Sequence, residues 1–323
     1  MRALLRPLVA VAAGTLTATL VAAPATAKPT VVLTPGSLSR GPDIAGPHLD
    51  GKTVVDGTVR VRIKAPQVRL LGKSGSSYVV GTASKQGGHG RIYRVATDGT
   101  RTLLTKAHPY ETLLSGDGAT IVSTRLDRRA HATISVVDVT TATPVATKRF
   151  KGYFGALDAQ ADRVLIGSDT KTLIWTTSTG SVVTVVNDAG YTGDLSADVV
   201  ATFTKDPYDG GCTVVRRIST GARLWRSCTE AVTAFSTDGS RIATTAILSD
   251  GPGPGRVDAR TISGKHLGRY QVRSGWFGEI RFETPTALLL DVNGARKAFT
   301  ARCTGTACER ASDLRPAETL RSS

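Results

Sequence analysis

Leu114-Ser115-Gly116-Asp117-Gly118-Ala119-Thr120-Ile121-Val122 returns 121 residues later as Phe235-Ser236-Thr237-Asp238-Gly239-Ser240-Arg241-Ile242-Ala243. Each copy is an apolar run, a Ser-x-Asp-Gly turn and a second apolar run, and Asp-Gly supplies the positive φ that a tight hairpin needs. Weaker copies stand at residues 157–165 and, shortened, at 195–200, with flanking ones at 71–79 and 280–288. Taking Tyr78, Ile121, Val164, Val199, Ile242 and Ala287 as equivalent gives spacings of 43, 43, 35, 43 and 45 residues. That period is the length of one propeller blade, ~40–45 residues.

Each unit reads as four short strands, clearest in the second unit at residues 111–115, 119–125, 132–139 and 144–150. A sheet of that size cannot bury both faces alone, and closing several into a ring covers them while leaving only short edges. A β-sandwich also has short strands, but it does not predict a recurring module. The fold expected is therefore all-β: a single β-propeller of six full four-stranded blades. A preceding hairpin, residues 53–56 and 58–63, either forms a small seventh blade or pairs with the last blade.

The pattern Ser-x-Asp-Gly-x-x-Ile-Val/Ala resembles the blade signature of WD40-like propellers, especially the exported bacterial type seen in TolB-like proteins. The likeness covers roughly residues 67–311 and implies a fold only, because propellers host binding modules, scaffolds and unrelated enzymes alike. The Trp-Asp dipeptide of eukaryotic WD40 blades is absent.

With 40% hydrophobic and 21% charged residues, the 323-residue chain fits neither a disordered nor a polytopic membrane protein. Arg2 and Arg6, the apolar run at 8–23 and Ala25-Thr26-Ala27 read as a secretory signal peptide, cleaved after Ala27. The apolar run is shorter than the ~20 residues that span a bilayer. Cleavage removes two arginines and no acid, taking the formal charge from +15 to +13. Pro29, Pro35, Pro42 and Pro47 make residues 28–51 an extended linker. The propeller is then residues 52–311, and 312–323 form a flexible tail.

Four cysteines in an exported chain point to disulfides. The strand reading pairs Cys212 with Cys228 and Cys303 with Cys308, each across the outer hairpin of a blade. Their spacings lack the paired knuckles of a zinc site, so no metal is expected.

Four residues before Leu114, Leu157, Leu195 and Ile280 stand Tyr110, Tyr153, Tyr191 and Trp276. That position leads into the innermost strand, at one mouth of the channel, where rings would stack on sugars or other flat ligands. Equally, each would wedge between blades. Glu111, Asp194 and Glu279 are the acids placed near the same mouth, weak candidates for acid and base work. No Gly-x-Ser-x-Gly elbow, His-Glu-x-x-His helix or phosphate-cradling motif occurs, and no cofactor is implied.

The function expected is an exported, non-enzymatic binding protein of the cell envelope, monomeric, with an unknown protein or an anionic envelope polymer as partner and no nucleic acid. The alternatives are a polysaccharide hydrolase or lyase using the mouth acids, and a basic envelope scaffold.

Overall fold

A computed structural model describes residues 30–249 and 251–317. The expected signal peptide and the last six residues lie outside them. The chain is an all-β, seven-bladed propeller with no α-helix among the described residues. Blades 2 to 7 each run through four antiparallel strands in chain order, at residues 67–105, 112–151, 154–186, 189–227, 230–271 and 276–310. The first strands of successive blades touch one another and form the inner wall.

In blade 3 the strands are Thr112–Leu114, Thr120–Leu126, His131–Asp138 and Pro144–Lys151, each within two residues of the expected bounds. The Ser-x-Asp-Gly turns have a definite job. Asp117 accepts hydrogen bonds from Ser115 Oγ, from the Ala119 N–H and, across the interface, from the Ala161 N–H of blade 4. Asp238 holds Ser236 and Ser240 in the same way. Gly118 (φ 71°) and Gly239 (φ 66°) need glycine twice over. A Cβ on Gly118 would stand 2.7 Å from Lys73 O, and one on Gly239 2.9 Å from Ala197 Cβ, both in the preceding blade's turn.

Period-2 alternation sends neighbouring side chains to opposite blade interfaces. Ile121 packs with Val79 and Ile92 of blade 2, whereas Val122 packs with Val164, Ile166 and Trp175 of blade 4. The same logic fills the interfaces up to blade 7, the largest being Val257, Ala259 and Tyr270 against Phe277, Leu290 and Phe299.

The expected hairpin forms blade 1 and gains a strand: His48–Asp50, Thr53–Asp56 and Val59–Arg62 make a sheet of their own. Asp56, at the last turn of this sheet, accepts from Lys73 Nζ at 2.8 Å and Tyr78 Oη at 3.1 Å, beside the first turn of blade 2. At its other end the Ile63 N–H donates to Lys52 O, next to the start of blade 2. Its strands thus run as the second, third and fourth strands run elsewhere, and among the described residues it has no inner strand.

Residues 30–45 are packed against the ring. Thr30–Val32 adds a parallel strand outside His266–Gln271 of blade 6. Arg40 bridges Arg310 on the outer strand of blade 7, with the Gly41 and Arg310 N–H groups donating to Arg310 O and Ser39 O. Arg302 then clamps the segment. Its guanidinium binds Glu283 and Glu309 and donates to the carbonyls of Pro42 and Asp43, while Glu283 also accepts from the Ala45 N–H. Beyond blade 7's outer strand, Arg315–Pro316 pairs with Lys297–Thr304.

Both disulfides are formed as expected, Cys212–Cys228 and Cys303–Cys308. By the chain-entropy relation, replacing the Cys212–Cys228 pair with serines costs about 3 kcal/mol and the shorter Cys303–Cys308 loop about 2 kcal/mol; urea unfolding of both double variants checks the order. Arg302→Ala leaves the almost buried Glu283 carboxylate without its cation, and a loss of about 3 kcal/mol is expected on the same assay.

Candidate functional site

Antiparallel order within each blade divides the connections between two faces. Loops entering first strands and loops joining second to third strands share one, here the entry face; the hairpin turns share the other, the turn face. Contacts confirm the grouping: the Gly152 N–H, before blade 4, donates to Ala130 O in the middle loop of blade 3, and the Phe277 N–H donates to Pro254 O in the middle loop of blade 6.

Tyr110 sits on the entry face in a short 3-10 turn, Pro109–Glu111, whose first N–H groups are capped by His108: Nδ1 accepts from the Tyr110 N–H at 3.3 Å. Arg69 supports the ring. Its guanidinium lies 5.1 Å from the ring centroid and donates to Pro109 O at 2.5 Å. Tyr110 is nonetheless 71% exposed. Tyr153, 61% exposed, follows Gly152, whose φ of 115° turns the chain into blade 4 between the paired rings of Phe150 and Phe154.

The other two aromatics are placed differently. Tyr191 lies inside the first strand of blade 5, Ala189–Asp194, stacked on Phe203 at 4.0 Å. Its hydroxyl accepts from the Val232 N–H of blade 6 at 2.9 Å and shares a hydrogen bond with Thr213; burial pushes its pKa up to about 12. It is a wedge between blades. Trp276 is half-buried at the start of Trp276–Phe282, and residues 251–255 lie on it, since a Cβ at Gly253 would stand 2.9 Å from its ring. The common offset misleads because the first strands of blades 5 and 7 begin further back and carry bulges, at Gly190/Thr192 and Phe277/Ile280.

A third exposed ring escaped the repeat alignment. Tyr208, 68% exposed, occupies the middle loop of blade 5 in a second 3-10 turn, Pro207–Asp209, capped by Asp206, which accepts from the Tyr208 N–H at 2.9 Å. The signal was present as Pro207-Tyr208-Asp209 beside Pro109-Tyr110-Glu111. The Cys212–Cys228 disulfide closes the end of this loop.

The three candidate acids do not converge. Glu111 is on the entry face. Asp194 stands at the other end of its strand, where it accepts from Ser196 N–H and Oγ and from the Ala197 N–H, so it caps a turn. Glu279 is exposed in mid-strand and ion-paired with Arg281 at 3.3 Å. The carboxyl whose pKa is raised is Asp158, which accepts from the Leu195 N–H of blade 5 at 2.6 Å. Desolvation first, and the nearby Asp194 charge, raise its pKa to about 6. Among the described residues no group of three or more His, Cys, Asp or Glu could hold a metal ion, and no helix is long and apolar enough to cross a membrane.

Both faces carry acids and cations: on the entry face Asp127 accepts from the Arg129 and His131 N–H groups and pairs with Arg149, and Glu111 flanks Tyr110. Turn-face acids are engaged: Asp117 and Asp238 cap turns, Asp198 accepts from Ser219 N–H and Oγ, and Glu283 binds Arg302. On the entry face Lys52, Lys64, Lys85, Lys106, Arg128 and Arg129 are exposed, and none has an ion pair or a side-chain hydrogen bond among the described residues.

No family model matches the sequence, and no curated protein matches it. Solved structures match the fold. A chain of a mitotic checkpoint complex aligns over 90% of this chain and 90% of its own with a TM-score of 0.57 at 12% identity. The WD40 domain of Toxoplasma gondii coronin aligns over 85% of this chain and 77% of its own (TM-score 0.50, 12% identity). Pyrococcus horikoshii acylaminoacyl peptidase matches over 84% of this chain and 48% of its own (TM-score 0.57, 9% identity). At these identities the likeness shows the propeller and nothing finer.

Asp158 gives a pH test. Its folded pKa lies above the unfolded value near 3.8, so its contribution is fully present below that value and is lost as pH rises through about 6. The full span is worth about 3 kcal/mol. Urea midpoints measured from pH 4 to pH 7 are expected to fall less steeply in Asp158→Asn than in the parent.

Proposed function

We propose that the protein is an extracytoplasmic, non-enzymatic binding or interaction propeller that takes its ligand on the entry face. The observation that carries this reading is Tyr110: its ring is held from below by Arg69 and turned to solvent above. A surface ring with no task gains nothing from a fixed orientation, whereas a stacking contact does, because less side-chain freedom is lost on binding. Tyr153 is the second contact ring. Tyr191 and Trp276 act behind them, fixing the blade 5–6 interface and the loop over blade 7. Two disulfides support an oxidising compartment, consistent with export by the amino-terminal segment.

Catalysis is not favoured, because Glu111, Asp194 and Glu279 stand apart. Asp194→Asn and Glu279→Gln are accordingly expected to leave ligand binding unchanged.

The test is binding of the oxidised protein to a panel of immobilised glycans and cell-envelope fractions, followed by affinity electrophoresis on whichever retains it. Tyr110→Ala and Tyr153→Ala are each expected to weaken retention about tenfold, roughly the scale of one well-placed ring. Unchanged retention in both variants contradicts the assignment.

A further inference from the structure

Blade 1 lacks an inner strand, and where its entry-face loops end the surface is concave. The depression has a volume of about 570 Å³ and is lined by Lys52, Arg62, Ile63, Lys64, Ala65 and Pro66. Three of the six side chains are cationic and none is acidic. Lys52, Arg62 and Lys64 are exposed and have no carboxylate partner among the described residues.

The depression is not isolated. Lys85 and Lys106, in the next two loops of the same face, lead to the supported ring of Tyr110, and Arg128 and Arg129 stand in the loop beside Tyr153. Three unpaired cations around one shallow, solvent-open depression attract an approaching anion. Stacking rings interleaved with cations suit a polymer that offers flat apolar sugar faces and regularly spaced negative charge. A bilayer surface has no such alternation, and the oxidising compartment implied by the disulfides disfavours nucleic acid.

We infer that the entry face binds an acidic polysaccharide, with one anionic group seated in the Lys52–Arg62–Lys64 depression and the chain running across Tyr110 and Tyr153. This rests on the entry face being the ligand face and adds the chemical class of ligand and its anchoring site. Association is steered by charge, so affinity falls as salt rises.

The test uses polygalacturonate, neutral dextran, single-stranded DNA and phosphatidylglycerol vesicles as probes of the full oxidised protein, with titrations at 50 and 150 mM salt. The variant is Lys52→Gln/Arg62→Gln/Lys64→Gln. The control removes the same three charges from the opposite face, Arg101→Gln/Arg223→Gln/Lys265→Gln, at exposed residues without ion pairs. Polygalacturonate is expected to bind tighter than the other probes, at least tenfold weaker in the entry-face variant, with a shallower salt dependence, and within twofold of the parent in the control. Equal losses in both variants overturn the site, since net charge alone then explains binding. Stronger binding to DNA or vesicles overturns the ligand class. Binding to dextran alone, lost in Tyr110→Ala, overturns the acidic ligand while leaving the entry face as the ligand face. Binding to polygalacturonate that is indifferent to Tyr110→Ala and Tyr153→Ala, yet lost in the entry-face variant, keeps the anion site and removes the stacking rings.

Discussion

A ring must close, and the chain that leads into blade 1 is first tied to blades 6 and 7 by directional bonds made by a strap, residues 30–45. Six interfaces are filled by alternating residues such as Ile121 and Val122, which commit each sheet to a neighbour on both sides. Where the strap meets blade 7 the apolar contact is the small cluster of Ile44, Leu289 and Ala311. The strap adds parallel backbone hydrogen bonds outside blades 6 and 7. Arg302 and Glu283 fix the end of the strap. Apolar alternation sets register at those six interfaces, and at the strap the Arg302 fork fits carboxylates and carbonyls in one arrangement. The strap so fixed ends at Ala45, just before the first strand of blade 1, His48–Asp50.

Much of the fold was legible because it repeats. Asp-Gly turns and two-residue alternation are local rules, so blade 3 could be bounded to within two residues, and the cysteine pairing followed from counting outward along hairpins. The strap was not legible. Residues 30–45 carry Pro35 and Pro42 and no alternating or turn pattern of their own; their conformation is imposed by the edges of blades 6 and 7. The missing inner strand of blade 1 was hidden for a related reason. A hairpin read from sequence has no polarity until Asp56 meets Lys73 and Tyr78 of the next blade.

The site was legible in part. A fixed offset from an apolar residue locates a loop only where strands begin at the same place and lack bulges. That holds for Tyr110, before an unbulged strand, and nearly for Tyr153, whose strand is bulged at Ala156/Asp158 yet starts just after it; it fails for Tyr191 and Trp276, whose strands reach further toward the entry face. Tyr208 was missed because its loop joins second to third strands, outside the alignment column. The local pattern that finds it is chemical: an acceptor side chain, then proline, then tyrosine, then an acid. Proline fixes φ and contributes no N–H, and the preceding side chain caps the tyrosine N–H. The ring is thereby projected outward.

The division between faces has a physical origin in the repeat. Every turn-face hairpin needs an acceptor for its own N–H groups, and aspartate is well suited to that task, so acids accumulate there and are held ionised by the bonds they accept, as Asp117 and Asp238 are. Those carboxylates are committed to the fold. Entry-face loops differ in length from blade to blade; His108, Asp127 and Asp206 each cap one of them, and the remaining positions are free to vary. In this chain that freedom is taken up by lysine, arginine and supported tyrosine. On that face six exposed lysines and arginines are left without ion pairs among the described residues, and these, not the composition as a whole, are what an anionic ligand meets.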